Sequence, residues 1–86
     1  MKYEVHRVGH RLEAIGAHSG YRIRMSTIAD DRLETFPISV HIRGSESEPE
    51  VKVDTPQHHF RSADDAFEHG YRCATMWIDA WAHRKD

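Results

Sequence analysis

Apolar and polar residues alternate along the middle of the chain with the two-residue period of a half-buried β-strand. The alternation runs over residues 21–25, repeats over 36–42 and returns around Val51. Polar segments separate these stretches at 29–34 and at 44–50, and the second segment contains no apolar residue. The pattern predicts three antiparallel strands, joined by one connection of hairpin length and by one mobile acidic loop.

Two parts of the chain depart from this regular alternation. Pro56 interrupts the third stretch, because proline has no backbone N–H to donate to a neighbouring strand. We expect a bend or bulge there, with residues 57–61 continuing as an edge segment. Near the N-terminus, Tyr3 and Val5 alternate with charged residues as in a strand, whereas residues 11–17 are compatible with a short helical turn. The first twenty residues therefore add either a strand or a short helix.

From Ser62 onward the apolar period lengthens to three or four residues, the period of an amphipathic helix. Ser62 is a favourable N-cap, acidic residues occupy the first turn, and residues 83–85 are basic at neutral or mildly acidic pH, as the helix dipole favours. The apolar stripe consists of Ala63, Phe67, Gly70, Ala74, Trp77, Ile78 and Trp81. Glu68 and Arg72, four residues apart, fall on the opposite face. Gly70 predicts a close approach to the sheet, because glycine costs about 1 kcal/mol relative to alanine inside a helix.

These elements predict an α+β fold, with three to four antiparallel strands packed on one C-terminal amphipathic helix from residue 62 to about residue 84. The chain has 86 residues, which allows one hydrophobic core and not two, so we expect a single domain over residues 1–86. The sequence has no long apolar run and no export signal. Cys73 is the single cysteine, which excludes an intrachain disulfide. We expect a cytoplasmic protein that does not associate with membranes.

The segment 60–81 (FRSADDAFEHGYRCATMWIDAW) resembles the strand-to-helix junction of HicB-type antitoxin domains, in which a capped helix backs a three-stranded sheet. It is also similar to small uncharacterised proteins of Gram-negative bacteria that end in a helix closing with Trp-Ile-Asp. The resemblance implies a fold and, through the antitoxins, a protein partner.

A second resemblance depends on the N-terminal alternative. If residues 11–17 are helical, the order of elements resembles that of double-stranded RNA-binding domains, which place lysines at the start of the last helix to grip phosphates. Ala63, Asp64 and Asp65 stand at that point here, and the two carboxylates would repel phosphates. The formal charge of −2 also argues against binding by counterion release, so nucleic acid is not an expected partner.

Histidine is the unusual feature of the composition, with eight residues in the chain, and it raises metal binding as a hypothesis. His69 and Cys73 are the candidate ligands, because a spacing of four places both on one side of the helix. A structural zinc site needs four ligands at recognisable spacing, and one cysteine with scattered histidines matches no such pattern. No catalytic constellation and no glycine-rich phosphate loop is visible. We therefore expect a protein that is not an enzyme and has no cofactor.

The polar face of the predicted sheet is the candidate binding surface. If the apolar strand positions face the helix, the opposite face carries Arg22, Arg24, His41, Arg43 and Lys52, because neighbouring residues of a strand point to opposite sides. Such a face suits an anionic partner, either an acidic protein segment or a nucleic-acid backbone, although it carries no aromatic residue on which bases could stack. The alternative is a solubilising face that nearby acidic residues neutralise.

These observations favour a binding or adaptor module that acts through its sheet face or an exposed strand edge. A HicB-like antitoxin or regulator that binds a protein partner is the alternative, and a metal-binding protein or an enzyme ranks third. One helix cannot cover all the apolar surface of a sheet. Trp77 and Trp81 therefore either complete the core or contribute to a homodimer interface.

Overall fold

The computed structural model describes residues 2–28, 36–55 and 60–84, with the side chains of the last helix described as far as Trp81. The elements in chain order are β1 (Tyr3–Val8), β2 (Arg11–His18), β3 (Tyr21–Ile28), β4 (Ser39–Arg43), β5 (Val51–Val53) and α1 (Ala63–Arg84). The strands form one sheet in the order β1-β2-β3-β4-β5, and each is antiparallel to its neighbours. The α+β class is confirmed, but the sheet has five strands instead of three to four.

The additional strands lie in the first twenty residues, where the strand at Tyr3 is confirmed and the helical turn over 11–17 is wrong. Residues 11–18 form β2, which pairs with β1 on one edge and with β3 on the other. The leucine, glutamate and alanines of β2 have high helix propensity. Hydrogen bonding to β1 on one edge and to β3 on the other nevertheless stabilises the strand. Ser19 and Gly20 have φ angles of 51° and 82°. Positive φ at both positions is typical of the two-residue turn that joins tightly paired strands.

Strand β4 begins at Ser39, three residues later than the alternation from Phe36 predicts. Phe36 instead forms an isolated bridge with Phe60, and its N–H donates to the Phe60 carbonyl at 3.0 Å. Pro37 follows Phe36 and has no N–H with which to continue the ladder. The connection predicted over 29–34 lies outside the described residues.

The pairing between the segment that contains β4 and the segment that contains β5 changes register along its length. Val40 pairs with Val53, and Phe36 pairs with Phe60. Four positions separate Phe36 from Val40, whereas seven separate Val53 from Phe60, so the register shifts by three residues. The predicted bend at Pro56 and the three residues after it lie outside the described part of the chain.

Helix α1 begins where the sequence predicts, and Ser62 is its N-cap. The Ser62 hydroxyl oxygen accepts a hydrogen bond from the Asp65 N–H at 3.1 Å, which satisfies one of the free donors of the first turn. The buried face consists of Ala66, Phe67, Gly70, Ala74 and Ile78. Trp77 is half-buried and Trp81 is 40% exposed, so the stripe leaves the core towards its C-terminal end. Within the described residues, no helix has the length and apolar character needed to cross a membrane.

Helix α1 lies over the centre of the sheet, and Gly70 marks the closest approach. The buried side chains of the sheet are Ala14, Ile23, Met25, Thr27, Ile38, Val40, Ile42 and Val53. A Cβ atom added at Gly70 would lie 2.9 Å from Cγ1 of Ile38 and 3.1 Å from Sδ of Met25, distances that real Cβ atoms rarely or never show. The close approach predicted at Gly70 is confirmed. Val51, predicted to face the helix, is 44% exposed at the sheet edge.

Polar contacts along one flank of α1 join the helix to the first two strands. The Tyr3 hydroxyl donates to the Glu68 carboxylate at 3.0 Å, and Nε2 of His18 lies 2.8 Å from the Asp79 carboxylate. Glu68 is exposed, as predicted, but it contacts strand β1 and is not simply solvated.

Candidate binding face

The sheet register places the five predicted residues on one face. Arg22 lies directly opposite Arg43, Arg24 opposite His41, and His41 opposite Lys52. Residues that oppose each other in an antiparallel pair share a face, and the neighbouring positions on these strands point to the core. The five side chains therefore lie together on the surface opposite α1, which we call the outer face.

The Arg24 guanidinium already forms an ion pair with a carboxylate of the same chain. Its Nε donates to Oε2 of Glu50 at 2.9 Å and its Nη2 donates to Oε1 at 2.8 Å, the paired geometry that arginine forms with carboxylates. A carboxylate oxygen of Glu13 also lies 3.9 Å from Nη1. The hydrogen bonds from Arg24 lower the pKa of Glu50, and those to Glu50 raise the pKa of Arg24. Arg24 is thus neutralised within the protein, as the solubilising alternative expects.

Arg43 organises the acidic loop over residues 44–50. Its Nε donates to the carbonyl oxygens of Ser45, at 3.0 Å, and Glu48, at 2.8 Å, and its Nη2 donates to the carbonyl of Glu46. The loop predicted to be mobile is therefore wrapped around a guanidinium group. Backbone carbonyls fix that group without neutralising it, because they carry no formal charge.

His41 and Lys52 complete the middle row of the outer face. His41 is half-buried, and its Nδ1 is buried without a hydrogen-bond partner among the described residues. Lys52 is exposed and forms no ion pair within the described part of the chain. His41 is one of the groups that lower the pKa of the Glu50 carboxylate, after Arg24 itself, so this row offers less free positive charge than its composition indicates.

A cleft of about 540 Å³ opens at one end of the outer face. Its lining residues are Gly20, Arg22, Arg43, Gly44, Ser45 and Glu46. Arg22 is exposed, and no described carboxylate forms an ion pair with Arg22 or Arg43. Like charges directly opposite each other on a sheet are unfavourable, and an anion between the two arginines would remove that repulsion. We call this site the arginine cleft.

An apolar pocket of about 170 Å³ lies on the inner side of the same sheet end. Its lining residues are Tyr21, Ile42, Gly44, Glu48, Pro49, Val51, Trp77 and Trp81. The two indole rings stack with centroids 5.6 Å apart and an angle of 7° between their planes. We call this site the tryptophan pocket. Sequence reasoning missed it because the acidic loop supplies one wall through Glu48 and Pro49, and alternation along the strands does not place that loop beside the helix.

The candidate metal ligands, His69 and Cys73, are neighbours on α1. Nε2 of His69 lies 3.5 Å from Sγ of Cys73, as their spacing on the helix predicts. Within the described residues, no group of three or more histidine, cysteine, aspartate or glutamate side chains could hold a metal ion. The histidines at 58 and 59 lie outside those residues. The pair alone supplies two of the four ligands that a structural zinc site requires.

Comparison of the chain with protein-family models, with curated proteins and with solved structures finds no match. The resemblances to HicB-type antitoxins and to double-stranded RNA-binding domains therefore stay predictions.

Proposed function

We propose that this protein is a non-enzymatic binding module that holds an acidic segment of a protein partner in the arginine cleft. The observation that carries the proposal is the direct opposition of Arg22 and Arg43 without a carboxylate partner from the described residues. The neighbouring arginines of the outer face differ in this respect, because Arg24 is paired with Glu50 and Arg11 with Glu13.

The cleft has the donors that a carboxylate needs. Nε and one Nη2 hydrogen of Arg43 are engaged by the loop carbonyls. A guanidinium has five N–H donors, so Arg43 keeps donors for a ligand while the loop holds it in place. Arg22 adds a second cation from the next strand. Because the loop already holds Arg43, that side chain loses little freedom when it binds a carboxylate.

An acidic protein segment fits the cleft better than a nucleic acid does. Two cations converge here and Glu46 also lines the cleft, whereas nucleic acids are held by a continuous row of phosphate contacts. No described phenylalanine, tyrosine or tryptophan of the five strands lies on the outer face, so bases have no aromatic ring on which to stack. The antitoxin alternative is one form of protein binding, and it would use the same class of site.

The test is a binding titration with a fluorescein-labelled octaglutamate peptide, followed by fluorescence anisotropy. We expect Arg22→Gln to weaken binding about fivefold, since an exposed ion pair contributes up to about 1 kcal/mol, and we expect added salt to weaken it further. Arg72→Gln is the matched control, because it removes the same charge from an exposed position on α1. Glu46→Gln should strengthen binding by removing a negative charge from the cleft.

Three results would contradict the proposal. The wild-type protein could fail to bind the peptide, Arg72→Gln could weaken binding as much as Arg22→Gln, or a single-stranded oligonucleotide could bind more tightly than the peptide at equal salt. The third result would assign the cleft to nucleic acid.

A further inference from the structure

The arginine cleft and the tryptophan pocket lie at the same end of the sheet, on its two faces. Arg22 and Arg43 line the first site, and the residues that precede them, Tyr21 and Ile42, line the second. Gly44 belongs to both linings. The two sites therefore meet at the point where the acidic loop leaves β4.

We infer that the tryptophan pocket receives an apolar side chain of the same acidic segment whose carboxylate occupies the arginine cleft. The inference rests on the proposed function and narrows its partner to an extended segment with acidic residues and one large apolar residue. In an extended chain, successive side chains point to opposite sides. A segment that passes Gly44 at the sheet end can therefore direct a carboxylate to the outer face and an apolar side chain to the inner one.

The size and lining of the pocket suit one apolar side chain. Its volume of about 170 Å³ is close to that of an engineered apolar cavity of about 150 Å³ that binds benzene in another protein. Stacked indole rings, a proline ring and an exposed valine form its walls, and such walls are typical of the pockets that hold an anchor residue. The lining contains one carboxylate, Glu48, and no cation.

Exposure at the rim makes the pocket accessible from solvent. Trp81 is 40% exposed and Val51 is 44% exposed. When an apolar side chain enters the pocket, it covers part of this surface and removes it from water. Burial of that surface favours binding. Arg22 and Arg43 form no ion pair with a described carboxylate, so the adjoining cleft favours an acidic segment over a purely apolar one.

The experiment compares peptides that differ in a single residue. The probes are a glutamate octapeptide with one central leucine, the same peptide with serine in place of leucine, and a glutamine octapeptide with the central leucine. We expect the first peptide to bind about tenfold more tightly than the second, as burial of one leucine side chain allows. The third should bind more weakly than the first because it lacks the charges.

Intrinsic fluorescence gives a second readout that is specific to the pocket. The chain has two tryptophans, and both line the pocket. The leucine peptide should shift tryptophan emission, whereas the serine peptide should leave it nearly unchanged. Trp81→Ala should abolish the preference for leucine. Met76→Ala is the matched control, because Met76 is a 65% exposed apolar residue of the same helix outside the pocket.

The possible failures separate the two proposals. If no acidic peptide binds, the proposed function is wrong. If the leucine and serine peptides bind equally and Arg22→Gln weakens both, the proposed function stands and the pocket inference is wrong. If the glutamine peptide with leucine binds as tightly as the glutamate peptide with leucine, the pocket acts independently of the cleft and the inference is wrong. If the protein sediments as a dimer that Trp81→Ala converts to a monomer, a second copy of the chain occupies the pocket and the inference is overturned.

Discussion

The Glu50 carboxylate accepts two hydrogen bonds from the Arg24 guanidinium, at 2.8 and 2.9 Å. Glu50 closes the acidic loop immediately before β5, whereas Arg24 lies on β3. The contact therefore spans β4 and fastens the loop to the outer face. Because the same loop forms walls of both the arginine cleft and the tryptophan pocket, this ion pair holds the two sites in shape.

We predict that acid weakens this contact. The hydrogen bonds from Arg24 hold the pKa of Glu50 below its ordinary value of 4.5. A lowered folded-state pKa means that the contact stabilises the protein above about pH 4.5 and that this contribution is lost as the pH falls through the folded-state pKa. Glu50→Gln should lower the free energy of unfolding by about 0.5 to 1 kcal/mol at pH 7, a discounted value for a partly exposed pair. The free energy of unfolding of the Glu50→Gln variant should also fall less steeply than that of the wild type as the pH is lowered.

Urea unfolding at a series of acidic pH values measures both effects. Glu46→Gln is the control, because this substitution removes the same charge from the same loop. Glu46 forms no ion pair within the described residues. If Glu46→Gln flattens the acid dependence as much as Glu50→Gln does, overall charge and not the contact with Arg24 determines it.

A second pH effect is predicted at the opposite edge of the sheet. Burial, followed by the hydrogen bond to Glu68, raises the pKa of Tyr3 to about 12. The neutral phenol is therefore favoured in the folded state. Its contribution is fully present below the ordinary tyrosine value of 10.0 and is lost as the pH rises through about 12. An absorbance titration should show one of the three tyrosines ionising late, and Glu68→Gln should move that step to lower pH. If Tyr3→Phe leaves the late step in place, the assignment is wrong.

The sequence predicts the elements that depend on local signals. Ser62 and the spacing of Phe67, Ala74 and Ile78 determine where the helix begins and which face it buries. Strand β2 was missed because its helix-compatible residues become a strand through pairing with neighbours on both edges. Local propensity does not report such pairing.

The candidate site shows the same division between local and long-range information. Alternation alone places Arg22 and Arg43 on one face. It does not reveal that Glu50 reaches across a strand to Arg24, nor that Pro49 comes to lie beside Trp77 and Trp81. Both contacts depend on how the loop folds back over the sheet. The local sequence of the loop does not determine that path.

Burial ranks the large side chains of the helix, and we predict that stability follows the same rank. Phe67 is fully buried, whereas Trp77 is half-buried. Phe67→Ala should therefore destabilise the protein by about 3 to 5 kcal/mol. Trp77→Ala should cost less, about 1.5 to 3 kcal/mol, because part of its surface is already in water. Chemical unfolding of the two variants measures the difference. A larger loss for Trp77→Ala would place the centre of the core at the tryptophan pocket.

The last prediction concerns Gly70, where two effects oppose each other. Alanine in place of glycine favours a helix by about 1 kcal/mol. The added methyl group would lie 2.9 Å from Cγ1 of Ile38 and 3.1 Å from Cγ2 of Val40, and overpacking of this kind costs about 1 to 3 kcal/mol. Because the atoms it meets belong to buried side chains that are themselves closely packed, we expect the packing cost to exceed the helix gain. Gly70→Ala should lower the free energy of unfolding by about 1 kcal/mol.

Ala80→Gly isolates the helix effect in that comparison. Ala80 is exposed on the same helix, so its replacement loses about 1 kcal/mol of helix propensity with no change in packing. Thermal or urea unfolding of both variants then gives the packing cost at Gly70 as the difference between the observed change and the propensity gain. If Gly70→Ala is instead more stable than the wild type, the helix can move away from β3 and β4 at little cost, and the close approach at Gly70 does not hold it in place.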